Sequence, residues 1–309
     1  MSGAPDARQP LLVLALLTLV WGLNWPMMKL GVSGLPSAPA SYPPLTFRAL
    51  SMVIGVPVLA AGLLVLRVPL ALPRRDWGTT LRLTASNMIV WHVLIILALP
   101  ALSSGRAAIL GYTMPVFAAL WAIVLYGERP GLRQALSVGA ATIGVALLLT
   151  HEFSRLAGSP AAVAMALAAA AVWALGTHEL RRATLSVPLL TVVFWMTALT
   201  AWVLATAAWI FERTSWQFPA SHVQVSILYN AVGVFGFAHA AWFYLARTMP
   251  PLASSVSVMM IPVLGTFSGA WWLGEALHWQ DFAAVVLMVL AIGLALLRRP
   301  AAPPPAQRA

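Results

Sequence analysis

The side chains able to do chemistry in this sequence are few and regularly spaced. His92 and His239 lie 147 residues apart, and the same interval carries Pro115 onto Pro262 and Gly127-Glu128 onto Gly274-Glu275. Trp21, Asn24, Trp25 and Met28 recur at i, i+3, i+4 and i+7, one face of a helix. Asn87, Trp91 and His92 make a second group, and Asn230, His239 and Trp242 a third. Such groups offer flat apolar walls with amide and imidazole between them, which suits an amphipathic solute. Each has a plainer reading too: Asn24 bonded to a neighbouring backbone across a helix interface, and each histidine a satisfied packing residue. The equivalent positions of the two histidines leave packing and binding evenly weighted.

Other chemistries lack their parts. The chain has no cysteine, which removes disulfides, thiolate nucleophiles and cysteine-ligated metals. Neither His92 nor His239 has a ligand companion at i+3 or i+4, so no metal and no cofactor is expected. There is no Walker phosphate loop, and no serine or histidine comes with a partnered acid. ATP-driven transport and hydrolysis are therefore excluded, and an enzyme is not expected.

The elements that position these residues follow from composition. Of 309 residues 61% are hydrophobic and 8% charged, and the mean hydropathy is +0.87, where soluble proteins carry about a quarter charged residues. The partner is a lipid bilayer. The net charge of +10 comes from basic residues scattered singly or in pairs, which forms no patch for nucleic acid. Runs near the roughly 20 residues that cross a hydrocarbon core number ten: 11–32, 43–66, 78–99, 104–126, 131–150, 160–179, 187–211, 222–246, 252–274 and 279–298. Pro, Gly or charge breaks the runs, as in Leu72-Pro73-Arg74-Arg75-Asp76 and Gly127-Glu128-Arg129-Pro130. Arg8, the run from Leu11 and Ala38-Pro39-Ala40 imitate a signal peptide, but the run is too long for one.

With the N-terminus inside, thirteen arginines from Arg8 to Arg308 fall on cytoplasmic segments and only Arg106, Arg155 and Arg213 on outer ones. That asymmetry places both termini in the cytoplasm. Lys29 and Arg48 are set aside from this tally and read first as snorkelling to headgroups, with a gate or an attraction for a substrate carboxylate as the sharper alternative for either. The repeated interval, with Ile143-Gly144 echoed by Ile292-Gly293, marks a duplication of 11–150 as 160–298. Five spans per copy turn the second upside down. The expected fold is an all-α integral membrane protein, ten transmembrane helices as two inverted five-helix repeats, with a solute site near the midplane where they meet.

Trp21-Gly22-x-Asn24-x-Pro26, Phe47-Arg48 and the paired Pro…Gly-Glu figures, over Leu11 to Arg298, resemble the EamA-type branch of the drug/metabolite transporter superfamily. Within it the chain looks like the YddG-type bacterial exporters of aromatic and neutral amino acids. The resemblance implies a basket of helices around a central cavity in the bacterial inner membrane. The second copy departs from the motif, with Gly176 where Asn24 would align when Trp21 is laid on Trp173.

Candidate substrate contacts are Trp21, Asn24, Asn87, Trp91, His92, Tyr112, Trp173, His239 and Trp242, and candidate hinges Pro26, Pro115 and Pro262, since a mid-span proline bends a helix. Glu128 and Glu275 read first as fasteners pairing with basic residues or free N–H groups at a helix start, and second as gates. Gly265 and Gly269 read as close helix packing before a dimer seam, which leaves a monomer as the working form. No carboxylate falls in the middle of a span, so export is facilitated or weakly proton-linked through histidine. A nucleoside, sugar-linked metabolite or drug is the alternative cargo, and an intramembrane enzyme or lipid-handling protein the remote one.

Overall fold

The computed structural model describes residues 8–34, 41–127, 131–154, 159–248 and 251–296. Glu128, Arg129, Arg155 and the arginines beyond 296 lie outside the described residues. Thirteen α-helical segments run in order: α1 (Arg8–Ser33), α2 (Pro44–Val65), α3 (Trp77–Thr84), α4 (Val90–Ala98), α5 (Ser104–Gly111), α6 (Met114–Tyr126), α7 (Leu132–Ser154), α8 (Pro160–Arg182), α9 (Leu189–Phe211), α10 (Ser221–Leu228), α11 (His239–Thr248), α12 (Pro251–Leu273) and α13 (Trp279–Leu296). No strand occurs among the described residues.

Several segments share one rod. A π-helical turn, Ala85–Ile89, joins α3 to α4, and a longer π segment, Tyr229–Ala238, joins α10 to α11. The interval of 147 that relates the histidines carries the first π turn into the second, so the same local widening precedes His92 and His239. Periodicity had shown neither. Among the described residues, seven rods are long and apolar enough to cross a bilayer: Gln9–Ser33, Pro44–Val65, Arg74–Ala101, Ser104–Leu125, Pro160–Arg182, Leu189–Phe211 and Ser221–Trp242. Three shorter apolar helices, Ala135–Leu147, Met260–Leu273 and Trp279–Leu294, lie where the remaining expected spans were placed.

Local sequence sets the ends. Ser103 caps α5 by accepting from the Arg106 N–H at 3.3 Å, and Ser159 caps α8 by accepting from the Ala162 N–H at 3.3 Å. The two glycines of the repeated figure act alike. Gly127 ends α6 and Gly274 follows α12, each left-handed with φ of 63°, a conformation that costs glycine nothing. The glycine of each Gly-Glu pair is thus a helix stop.

Packing inverts the soluble pattern. Val65, Phe211 and Trp271 are among the large apolar side chains on the exterior, while Arg48, Asn87, His92 and Asn230 are buried. In lipid every backbone polar group must be satisfied internally, hence the helices. Several buried hydroxyls are satisfied within their own helices: Ser51 donates to Phe47 O, Thr197 to Val193 O and Thr200 to Met196 O. α2 packs on α9, α7 on α13, α1 on α12, and α8 on both α4 and α6.

Candidate functional site

The polar centre is built around Phe235, in the π segment. Its ring stacks on His239 (centroids 5.6 Å apart, planes 15° apart) and meets His92 edge-on at 5.5 Å. The guanidinium of Arg48 lies 5.8 Å from the same ring centroid. Arg48 does not snorkel. It is 2% exposed, donates from Nη1 to Asn230 Oδ1 at 3.2 Å, and directs Nη2 at the Met28 sulfur. The headgroup expectation fails because α2 turns this position toward α1 and the π segment, while Phe47 beside it fills the space left by Gly31 of α1. Asn230 is oriented by its own amide, whose Nδ2 donates to Ser226 O at 3.0 Å and so presents Oδ1 to the arginine.

The two histidines are placed differently. His239 Nδ1 lies 2.9 Å from Val234 O. A carbonyl only accepts, so the proton is on Nδ1 and Nε2 is the free acceptor. His92 is 6% exposed and neither ring nitrogen has a partner. An unmet buried polar atom costs about 1–3 kcal/mol. Asn24 Oδ1 on α1 is likewise unpartnered.

The aromatic residues assemble in two places. Trp25 meets Tyr112 edge-on at 6.3 Å, and Trp91 meets Trp173 at 5.2 Å. Gly111 joins these pairs: a Cβ there would stand 2.8 Å from Trp25 Cη2 and 3.2 Å from Trp91 Cη2. Trp21 and Trp242 form a separate pair at 5.7 Å. Asn87, in the first π turn, packs against Gly176, whose Cβ would lie 2.9 Å from both Asn87 Cβ and the Ser86 carbonyl carbon. The second copy has glycine where the first has Asn24 because α8 crosses the π turn too closely for a side chain.

The expected hinges also diverge. Pro115 sits just after a break in the fourth rod, between Gly111 and Met114, whereas Pro26 and Pro262 lie inside continuous α1 and α12. Pro57, within α2, is a further internal proline that the sequence reading passed over.

One face of the bundle is stitched by charged groups. Glu275 accepts from the Ser104 N–H and the Ser104 hydroxyl, both at 2.7 Å, and so caps α5 rather than the helix that comes after it in the chain. Glu212 accepts from the N–H groups of Leu45 and Thr46 at the start of α2, at 3.0 and 2.7 Å. Lys29 donates to the carbonyls of Leu99 and Pro100 at 3.1 and 2.8 Å, and Arg106 pairs with Asp281 at 3.0 Å. At the other end Asp76 accepts from Ser186, and Glu179 from the Ser86 hydroxyl at 2.9 Å. Gly265 and Gly269 serve packing within the chain: Gly265 faces Ala108 and Trp25, and Gly269 faces Ser104 and Glu275.

Phe235 is the functional candidate the sequence reading missed, and the i, i+4 spacing of Phe235 and His239 was the available signal for it. Arg48 was read first as snorkelling and only second as an attraction for a carboxylate, since nothing local marks it as buried. Among the described residues no group of three or more His, Cys, Asp or Glu could hold a metal.

A helical bundle with apolar exterior and a buried polar centre defines a polytopic membrane protein. The model of the EamA-like transporter family matches residues 9–150 and 160–297. The chain belongs to that family, and it is a multi-pass membrane transporter. The uncharacterized transporters YoaV and YvbV of Bacillus subtilis are 23% and 26% identical, covering 89% and 95% of this chain and 91% and 93% of their own lengths. A probable terminal-alkyne amino-acid exporter of Streptantibioticus cattleyicolor is 25% identical over 85% of this chain and 84% of its own. One solved crystal structure superposes with a TM-score of 0.64 at 21% identity, covering 94% of this chain and 98% of that one, which shows the fold.

Proposed function

We propose that the chain is a secondary transporter that exports small amphipathic metabolites, aromatic and other neutral amino acids foremost, from the bacterial cytoplasm by alternating access. Ten spans in two inverted repeats, with both termini cytoplasmic, carry the motion. The pattern of helix pairs supports this arrangement: exchanging one repeat for the other turns α1 on α12 into α8 on α6, and the second π segment on α2 into the first on α9, while α2 on α9 and α7 on α13 map onto themselves. The observation that carries the cargo assignment is the aromatic wall of Trp25, Tyr112, Trp91 and Trp173 beside buried polar atoms with unmet hydrogen bonds on Asn24 and His92. A ring against indoles and polar groups against orphaned partners is what an amphipathic solute would complete. The amino-acid exporter among the relatives adds support.

Overproduction should protect cells from toxic aromatic amino-acid analogues, and Trp91→Ala or His92→Ala should abolish protection without lowering the amount of protein in the membrane. Equal protection by these variants would defeat the assignment of the site. Uptake into inverted vesicles with and without a pH gradient separates facilitated export from proton linkage. A strict requirement for the gradient that survives substitution of both His92 and His239 would rule out linkage through histidine.

A further inference from the structure

Arg48 is a charged group sealed inside the bundle with no counter-charge among the described residues. Its Nε has no partner, Nη1 meets a neutral amide and Nη2 a thioether, a weak acceptor. Burying a cation without an anion is costly, and natural interiors pair such groups. The carboxylates whose side chains the structure describes are all engaged elsewhere: Asp76 with Ser186, Glu179 with Ser86, Glu212 with the start of α2, Glu275 with the start of α5, and Asp281 with Arg106. The equivalent position of the other repeat holds no cation: the residue 147 positions further on is Trp195, whose indole N–H donates to Leu70 O at 2.8 Å. A short distance from the guanidinium, across Phe235, stands His92 with two unsatisfied nitrogens.

We propose that Arg48, set in place by Asn230, receives the carboxylate of the transported solute, with His92 completing its hydrogen bonds. The proposal rests on the export of amino acids for its natural ligand, but its chemistry requires only an aromatic carboxylate. The free Nε–H and the Nη2 edge form the two-pronged donor that matches the two oxygens of a carboxylate. The Met28 thioether is a flexible placeholder on that edge, able to move aside when an anion arrives. The imidazole of His92, neutral and with one N–H to give, can donate to the second lone pair of the same carboxylate. The uncompensated charge thus becomes binding energy for an anionic group and a barrier to amines, which bring no counter-charge.

The test uses the purified full chain in lipid nanodiscs, with intrinsic tryptophan fluorescence and thermal melting as readouts. The probes are 3-phenylpropionate, its amide 3-phenylpropanamide, and L-phenylalanine. Wild type should bind the acid at least about tenfold more tightly than the amide, the difference made by a charge-assisted pair. Arg48→Gln should erase that preference while leaving amide binding within about twofold, and Arg48→Lys, with charge but no fork, should retain part of it. Ligand-free Arg48→Gln should melt no lower than wild type, because an unpaired buried charge has been removed; a purely structural arginine would lower the melting temperature. Equal binding of acid and amide by wild type overturns the proposal with no variant needed, and so does an acid preference that persists in Arg48→Gln. If 3-phenylpropionate is preferred and L-phenylalanine does not bind, the carboxylate site stands and the amino-acid reading falls. If neither acid binds, both fall.

Discussion

Removing the Glu275 carboxylate should open the stitched face between α12 and α5. Glu275 holds the Ser104 N–H and hydroxyl at 2.7 Å each, at a helix start where a negative charge is favourable. Loss of a charge-assisted bond costs about 1.5–3 kcal/mol when buried; the carboxylate is partly exposed, so water recovers part of it and about 2 kcal/mol remains for the pair. At about 1.4 kcal/mol per factor of ten, the open population rises about 30-fold. Thr266 reports this opening. It is 3% exposed, and Gly105 of α5 is packed so closely that a Cβ there would lie 2.8 Å from Thr266 Cα. Because the chain has no cysteine, a Thr266→Cys variant gives a single maleimide target whose labelling rate tracks the open fraction. Glu275→Ala should raise that rate about 30-fold, and Glu275→Gln, which retains a neutral acceptor, about fivefold. Ser137→Ala, which removes a bond to Ala291 O between α7 and α13, is the control and should leave the rate alone. A change below about twofold in Glu275→Ala, or an equal rise in the control, would refute the idea that this carboxylate holds the face shut.

Gly269→Ala should mimic Glu275→Ala in the same labelling assay, since its Cβ would fall 2.0 Å from Ser104 Oγ and 2.5 Å from Glu275 Oε2. Glu212→Gln loses the charged cap on Leu45 and Thr46 and should destabilise the bundle by about 1–2 kcal/mol, read as a lower melting temperature in detergent; an unchanged melt would show that water replaces it. His92→Phe removes two unmet polar atoms from a site that already meets Phe235 edge-on. The ligand-free protein should gain about 1 kcal/mol while export is lost, and a destabilised variant would mean that His92 has a partner in the membrane.

What the sequence disclosed depended on how far each signal extends along the chain. The interval of 147 residues ties together features that do not depend on local phase, and the structure gives one of them a direct cause in the left-handed Gly127 and Gly274. The polar residues of the centre were visible because histidine and asparagine are rare in apolar runs. Their grouping was not, since the π turns insert extra residues and rotate the helix beyond them, a shift that helical periodicity cannot register. Arg48 misled for a related reason. It lies near a helix end, where an exposed and a buried arginine look alike in sequence, and only the packing of α2 against α1 and the π segment distinguishes them.

The break at Tyr112–Thr113 divides one rod between two attachments. Its first part, α5, is clasped to α12 by Glu275 and by the contact of Gly105 with Thr266. Its second part, α6, is tied to α8, where the Trp121 indole donates to Ala171 O at 2.8 Å and His178 Nε2 meets Ala118 O at 2.8 Å. α5 also packs on α8, so under the proposed alternating access a rotation of α12 relative to α8 would load the fourth rod at this joint. Tyr112 is at that joint with its ring against Trp25. Torsion there would shift the Tyr112 ring against Trp25 and so carry the state of the bundle's ends to its centre without any connecting charge.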